Sequence, residues 1–166
     1  EHDAAVATEA TAESAQAEHV RELLSLTAVA LDVEARVRVE EDDEQITATI
    51  SGHDVGVLIG RHGQTIDALQ YLANAISYRE EGEARRRVVV DASGYRARRT
   101  AAVETLARRS AERAAATGHR VPLEPMTAVE RKVVHEALKD DPEVETMSEG
   151  TEPNRHVVVI PRHPAI

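Results

Sequence analysis

Hydrophobic positions change period several times along the chain, and each change marks an element. Over residues 17–31 the apolar side chains of Val20, Leu23, Leu24, Leu26, Val29 and Ala30 fall in a broad stripe of helical period. The period then drops to two: Val33, Ala35, Val37 and Val39 alternate with charged residues, and Ile46, Ala48 and Ile50 alternate with threonines. Two neighbouring strands are expected, joined by an acidic loop over residues 40–44. After Gly52 there is room for only one or two helical turns before Gly60-Arg61-His62-Gly63. Ile66, Leu69, Ala73 and Ile76 then give one face of a full helix that ends before Glu80-Glu81-Gly82-Glu83. The β-branched run over residues 87–91 predicts a strand, so residues 17–92 read α-β-β-α-α-β.

A second unit starts at Gly94, with an Ala- and Arg-rich helix over residues 95–117 that stops at Gly118. Val121-Pro122-Leu123-Glu124-Pro125 is extended, because each proline restricts the residue before it. Thr127 followed three residues later by Glu130 is a capping-box pattern for a helix beginning at Ala128. Residues 144–148 and 156–160 read as a strand pair around a turn. The expected class is α+β throughout: a mobile acidic tail over residues 1–16, an α-β-β-α-α-β unit over residues 17–93, and a small unit over residues 94–166 with a three-stranded sheet.

Composition narrows the chemistry. The 166 residues include no cysteine, which excludes disulfide scaffolds, thiolate zinc sites and cysteine nucleophiles. Tyr71, Tyr78 and Tyr95 are the whole aromatic complement, too few for a surface that stacks bases on aromatic platforms. No stretch approaches the roughly 20 apolar residues of a bilayer span, and the first residues lack the basic start and apolar core of a signal peptide, so a cytoplasmic protein without membrane insertion is expected. The net charge of −10 would argue against a nucleic-acid partner, but it is unevenly spread. Residues 1–50 hold 13 acids and 3 bases, whereas residues 79–120 hold 6 acids and 11 bases. The middle of the chain is basic and its ends are acidic.

The sharpest local feature is Leu58-Ile59-Gly60-Arg61-His62-Gly63-Gln64, two glycines around two polar side chains at a helix start. Glycine lets a phosphate backbone approach closely, and the free N–H groups of a helix start attract anions. A bare G-x-x-G is often no more than a turn; its place between two helices, after an apolar run, favours the functional reading. Arg131 and His135, four residues apart on one predicted helix, share a face and can reach one phosphate or two adjacent ones; the bare spacing is usually a solvated face, and in this setting nucleic-acid contact is the reading favoured. Arg98, Arg109 and Arg113 fall on one side of the preceding helix, with the same two readings. No His-Glu-x-x-His, dinucleotide loop or Gly-Lys-Ser/Thr phosphate loop is present, so catalysis is not expected and no cofactor is called for.

The segment Val57-Leu58-Ile59-Gly60-Arg61-His62-Gly63-Gln64-Thr65-Ile66-Asp67-Ala68-Leu69-Gln70-Tyr71-Leu72 resembles the type II KH domain of the bacterial Jag (SpoIIIJ-associated, KhpB/EloR-like) proteins. Leu123-Glu124-Pro125-Met126-Thr127, Glu130-Arg131-Lys132-Val133-Val134-His135 and Ser148-Glu149-Gly150-Thr151-Glu152-Pro153-Asn154-Arg155-His156 resemble that family's second domain, the RxxxH domain, named for an Arg and a His separated by three residues. The resemblance implies binding of single-stranded RNA or DNA, post-transcriptional regulation, a role in cell elongation or division, and pairing with a small single-KH protein. It implies an RNA site made of Ile59, Gly60, Arg61, His62, Gly63 and Gln64 in the first unit and Arg131 and His135 in the second. A KH groove holds about four nucleotides by their backbone while the bases lie over an apolar floor; Val57, Ile59, Ile66 and part of the second strand are floor candidates, with Val57 and Ile66 equally readable as core. The family often carries a second Arg where this chain has His62, and many members carry a further N-terminal domain whose functions are not transferred. A non-catalytic adaptor that uses the KH fold for protein contacts is the rival reading.

Overall fold

A computed structural model describes residues 13–77 and 86–163. The expected tail over its first twelve residues, and the Glu80-Glu81-Gly82-Glu83 stretch, lie outside the described residues. The chain divides into two compact units between Ser93 and Gly94.

In the first unit, α1 (Ala15–Ala30) is followed by β1 (Ala35–Glu41), β2 (Gln45–Gly52), α2 (Gly56–Ile59), a 3₁₀ turn (Arg61–Gly63), α3 (Gln64–Ser77) and β3 (Arg87–Ala92). The order is the α-β-β-α-α-β expected. The sheet runs β1-β2-β3, with β1 antiparallel and β3 parallel to the central β2. Ile46, Ala48 and Ile50 of β2 and Val88, Val90 and Ala92 of β3 face inward and are buried under Val20 and Leu24 of α1 and Ile66, Leu69 and Ala73 of α3.

Three details depart from the sequence reading. The first helix opens at Ala15, because the Ser14 hydroxyl accepts from Ala17 N (3.2 Å) and caps it; Gln16, expected in the tail, is buried. The stripe on α1 is narrower than its apolar residues, which leaves Leu26, Val29 and Leu31 exposed. Nor do residues 40–44 form a free acidic loop: Glu40 and Glu41 end β1, and the turn is tied by Asp42, whose carboxylate accepts from Glu44 N and Gln45 N at 2.8 Å each. Glu41 takes hydrogen bonds from Ser14 N (2.8 Å) and Oγ (2.6 Å) and pairs with Arg86 at 2.7 Å, joining the helix cap, the β1 end and the entry to β3. Burial alone would raise the Glu41 carboxyl, but the Ser14 hydrogen bonds and the Arg86 charge together hold it below the usual carboxylate range.

The outer edge of β3 is closed by side chains of α3. The Asn74 amide donates to Val88 O (2.9 Å) and accepts from Val88 N (3.0 Å), and Gln70 Oε1 accepts from Val90 N (3.1 Å). Groups at alternate positions of an edge strand point outward and would otherwise template another strand; these two amides occupy them.

The second unit comprises α4 (Tyr95–Thr117), β4 (Val121–Pro122), α5 (Ala128–Leu138), β5 (Val144–Glu149) and β6 (His156–Pro161), with the three-stranded sheet in the order β4-β6-β5. Gly118 stops α4 in the left-handed region at φ 67°, returning its N–H to Ala114 O. The core lies between the small-residue stripe of α4 (Val103, Ala107, Ala111, Ala114), Val134 and Leu138 of α5, and Val157 and Val159 of β6. The expected capping box is present on α5, and Glu130 within it also pairs with Arg99 of α4 at 2.6 Å.

Candidate nucleic-acid interface

The first candidate is the loop between α2 and α3. Gly60 N–H bonds back to Gly56 O at 2.9 Å and closes α2; Gly63 N–H bonds to Gly60 O at 3.3 Å and closes the next turn. Gly60 lies at φ 72°, ψ −179°, a region open essentially to glycine alone. A side chain there is also blocked: a Cβ on Gly60 would overlap the Thr65 hydroxyl and come within 2.8 Å of Thr65 Cβ and 2.9 Å of Thr65 N. The first glycine therefore lets the chain pass over the start of α3. His62 sits in the left-handed region at φ 54°, ψ 25°, which histidine, asparagine and aspartate tolerate better than most residues.

This backbone path sets the exposures. Arg61 and Gln64 are exposed, His62, Ile59 and Gly60 are half-buried, and Gly63 is buried. A cation is thus presented to solvent beside a helix start, the pattern that attracts a phosphate. Of the three floor candidates outside the second strand, Ile66 is fully buried and belongs to the core, Val57 is 52% exposed and Ile59 is half-buried. Of these three, Val57 and Ile59 are therefore the ones left with accessible apolar surface. α3 adds a feature that the sequence reading missed: Ala68, Tyr71, Leu72 and Ala75, spaced i, i+3, i+4, i+7, are all exposed, with Tyr71 at 75%. Its signal lay in the sequence, as a second apolar stripe beside the Ile66–Leu69–Ala73 face.

The second candidate, Arg131 and His135, is brought together on α5 but is not open. The Arg131 side chain is 9% exposed; Nη1 donates to Met126 O (2.8 Å), and Nη2 pairs with Glu152 Oε1 (2.8 Å). Both ring nitrogens of His135 meet hydroxyls of β5, Nδ1 with Thr146 Oγ1 (2.7 Å) and Nε2 with Ser148 Oγ (3.0 Å). These hydroxyls, two apart on a strand, lie on one face. Both members of the motif tie α5 to the β5–β6 hairpin, an arrangement that the sequence left open.

On α4, Arg108 pairs with Glu104 (3.3 Å), while Arg109 and Arg113 are exposed. Among the described residues no group of three or more His, Asp or Glu is placed to hold a metal ion, and no helix is long and apolar enough to cross a membrane.

Comparison with known proteins matches both units in the same order. Residues 17–90 match the model described as KhpA/KhpB, KH domain, and residues 101–161 match the model of the Arg-three-His domain, the RxxxH module. The chain belongs to the KhpB/Jag family. A Clostridium symbiosum protein named RNA-binding protein KhpB is 39% identical over 132 residues, covering 80% of this chain and 59% of that protein. Proteins of the same name from Lactiplantibacillus plantarum and Bacillus subtilis are 40% and 33% identical, over 78% and 82% of this chain and 40% and 66% of their own lengths. The chain thus spans between 40% and 66% of these KhpB relatives. Its KH and RxxxH units are those on which the sequence reading placed the motifs.

Proposed function

We propose that this chain binds single-stranded RNA, with single-stranded DNA as a weaker alternative, and serves post-transcriptional regulation rather than catalysis. The observation that carries the reading is the loop: Gly60 packs against Thr65 without a side chain and Arg61 stands exposed at the start of α3. Gly60, Arg61, His62, Gly63 and Gln64 hold the phosphates, and Val57 and Ile59 form the floor under the bases. In the RxxxH unit Arg131 supplies a phosphate contact, and His135 fixes α5 against β5 so that Arg131 is held in place. The resemblance extends the proposal to a cytoplasmic role in cell elongation or division.

A protein contact is part of the same proposal, on a separate observation. The exposed α3 stripe around Tyr71 and Leu72 is apolar, and the matched KH model describes both KhpA and KhpB. We assign that face to a small single-KH partner, which makes the adaptor reading complementary to RNA binding.

The test is binding of a labelled single-stranded RNA and of the corresponding duplex across a salt series. Tight, salt-sensitive retention of the single strand alone is expected, with a log–log slope of about −0.7 for each phosphate neutralised. Absence of salt-sensitive retention would leave only the adaptor role.

A further inference from the structure

The ion pair between Arg131 and Glu152 is lopsided. The guanidinium is almost withdrawn from water at 9% exposure, while the carboxylate that neutralises it is 61% exposed. A charge this withdrawn requires a partner, because stripping away its counter-ion leaves it uncompensated. Glu152 lies in the connection between β5 and β6, not on a packed element. The two partners of Arg131 also differ in kind. Nη1 is anchored to Met126 O, a backbone carbonyl, so the guanidinium keeps its position when Glu152 departs. The backbone of a second basic residue runs beside this anchor: Arg155 is exposed, and its carbonyl accepts from Met126 N at 3.1 Å.

A phosphodiester offers a guanidinium the same sign of charge and the same paired oxygen acceptors as a carboxylate. Replacing one by the other leaves the withdrawn charge neutralised throughout. We propose that Glu152 is a resident anion: its carboxylate occupies the phosphate position on Arg131 in the free protein and is exchanged for a phosphodiester of the bound strand. The inference rests on the proposed phosphate role of Arg131 and adds to it an intramolecular competitor. The RxxxH unit is then closed to phosphate until a strand displaces the carboxylate. Its contribution to affinity is smaller than that of the bare Arg131, and Arg155 receives the same strand once Glu152 has moved.

The experiment compares the full chain with Glu152→Gln, Arg131→Gln and the double variant, using a fluorescein-labelled single-stranded oligouridine in a salt series, with melting recorded on each preparation. Glu152→Gln is expected to tighten binding about two- to fivefold, the weight of an ion pair with one well-exposed member. Its salt slope should stay near the wild-type value, because the same phosphate meets Arg131 in both complexes, whereas Arg131→Gln should flatten the slope by up to about 0.7, the single-strand value for one phosphate. The gain should vanish in the double variant. If Arg131→Gln flattens the slope but Glu152→Gln leaves affinity unchanged, Arg131 touches the strand and the competitor idea is overturned. If Arg131→Gln leaves the slope unchanged while the wild-type chain binds, the phosphate role of Arg131 fails and the proposal with it. Weaker binding with lowered melting in Glu152→Gln makes the carboxylate a structural tie and also overturns it. Should Glu152→Gln not fold, the wild-type chain decides: the carboxyl carbon resonance of Glu152 should move toward that of a free glutamate when oligouridine is added, and a stationary resonance at saturation refutes the exchange.

Discussion

Replacing Gly60 by alanine tests whether the loop is built as described. At φ 72° and ψ −179° any side chain is strained by about 1–3 kcal/mol. The new methyl also meets Thr65, with its Cβ 2.8 Å and its backbone N 2.9 Å away. Backbone cannot rotate aside as a side-chain end can, so α3 or α2 must shift, and overpacking of this kind adds about 1–3 kcal/mol. A total of about 2–6 kcal/mol lowers the melting temperature of a unit this size by about 4–8 °C per kcal/mol. Differential scanning calorimetry on the full chain is the assay, because the RxxxH unit carries none of the change and supplies a reference. Adding Thr65→Ala removes the hydroxyl overlap but keeps the Cβ, the backbone N and the positive φ, so it should restore less than half of the loss. A Gly60→Ala chain melting within about 3 °C of wild type, below the roughly 4 °C expected for even 1 kcal/mol, would refute the account of this loop.

The remaining predictions concern the other elements. Leu72→Arg on the exposed α3 face should abolish pairing with a single-KH partner in a sizing or cross-linking assay while leaving melting unchanged; lowered melting would make Leu72 part of the core. Glu41→Gln should destabilise the KH unit by about 1 kcal/mol at neutral pH, since it weakens hydrogen bonds made to a charged acceptor. Because the folded carboxyl lies below its ordinary value, that stabilisation is complete above about pH 4.3 and is lost as pH falls through the lower folded value, so wild-type and variant melting should converge once pH lies below that folded value. His135→Ala removes two hydrogen bonds to β5 and should cost about 1–3 kcal/mol of stability in the RxxxH unit. Its effect on RNA affinity should be the same at pH 6 and pH 8; a larger loss at pH 6 would show that a charged ring touches phosphate instead.

The parts of this molecule that were legible in its sequence are the local ones. Alternation in β1 and β2, the Thr127–Glu130 capping box and the G-x-x-G loop each depend on residues within a few positions, and their geometry follows from backbone rules that a sequence displays. What escaped depends on distance. Glu152 is 21 residues from Arg131, the Asn74 amide reaches a strand 14 residues on, and Glu41 reaches Ser14 across 27. Polar side chains used this way look like solvated ones in a sequence, because only the fold decides which carboxylate a guanidinium meets. The α1 stripe fails for the converse reason: Leu26 and Val29 carry the hydrophobicity of core residues but, among the described residues, no neighbouring element covers them.

The central claim is that the loop between α2 and α3 grips the phosphates of a single strand. Arg61→Asp combined with His62→Asp tests it most directly, because the glycines remain and aspartate tolerates the left-handed backbone at position 62. Binding of labelled single-stranded RNA should fall by about tenfold or more, and the salt slope should flatten by about 0.7–1.4, one to two phosphates, while calorimetry still shows a cooperative melting transition of a folded chain. Unchanged affinity and slope in a folded double variant would contradict the account.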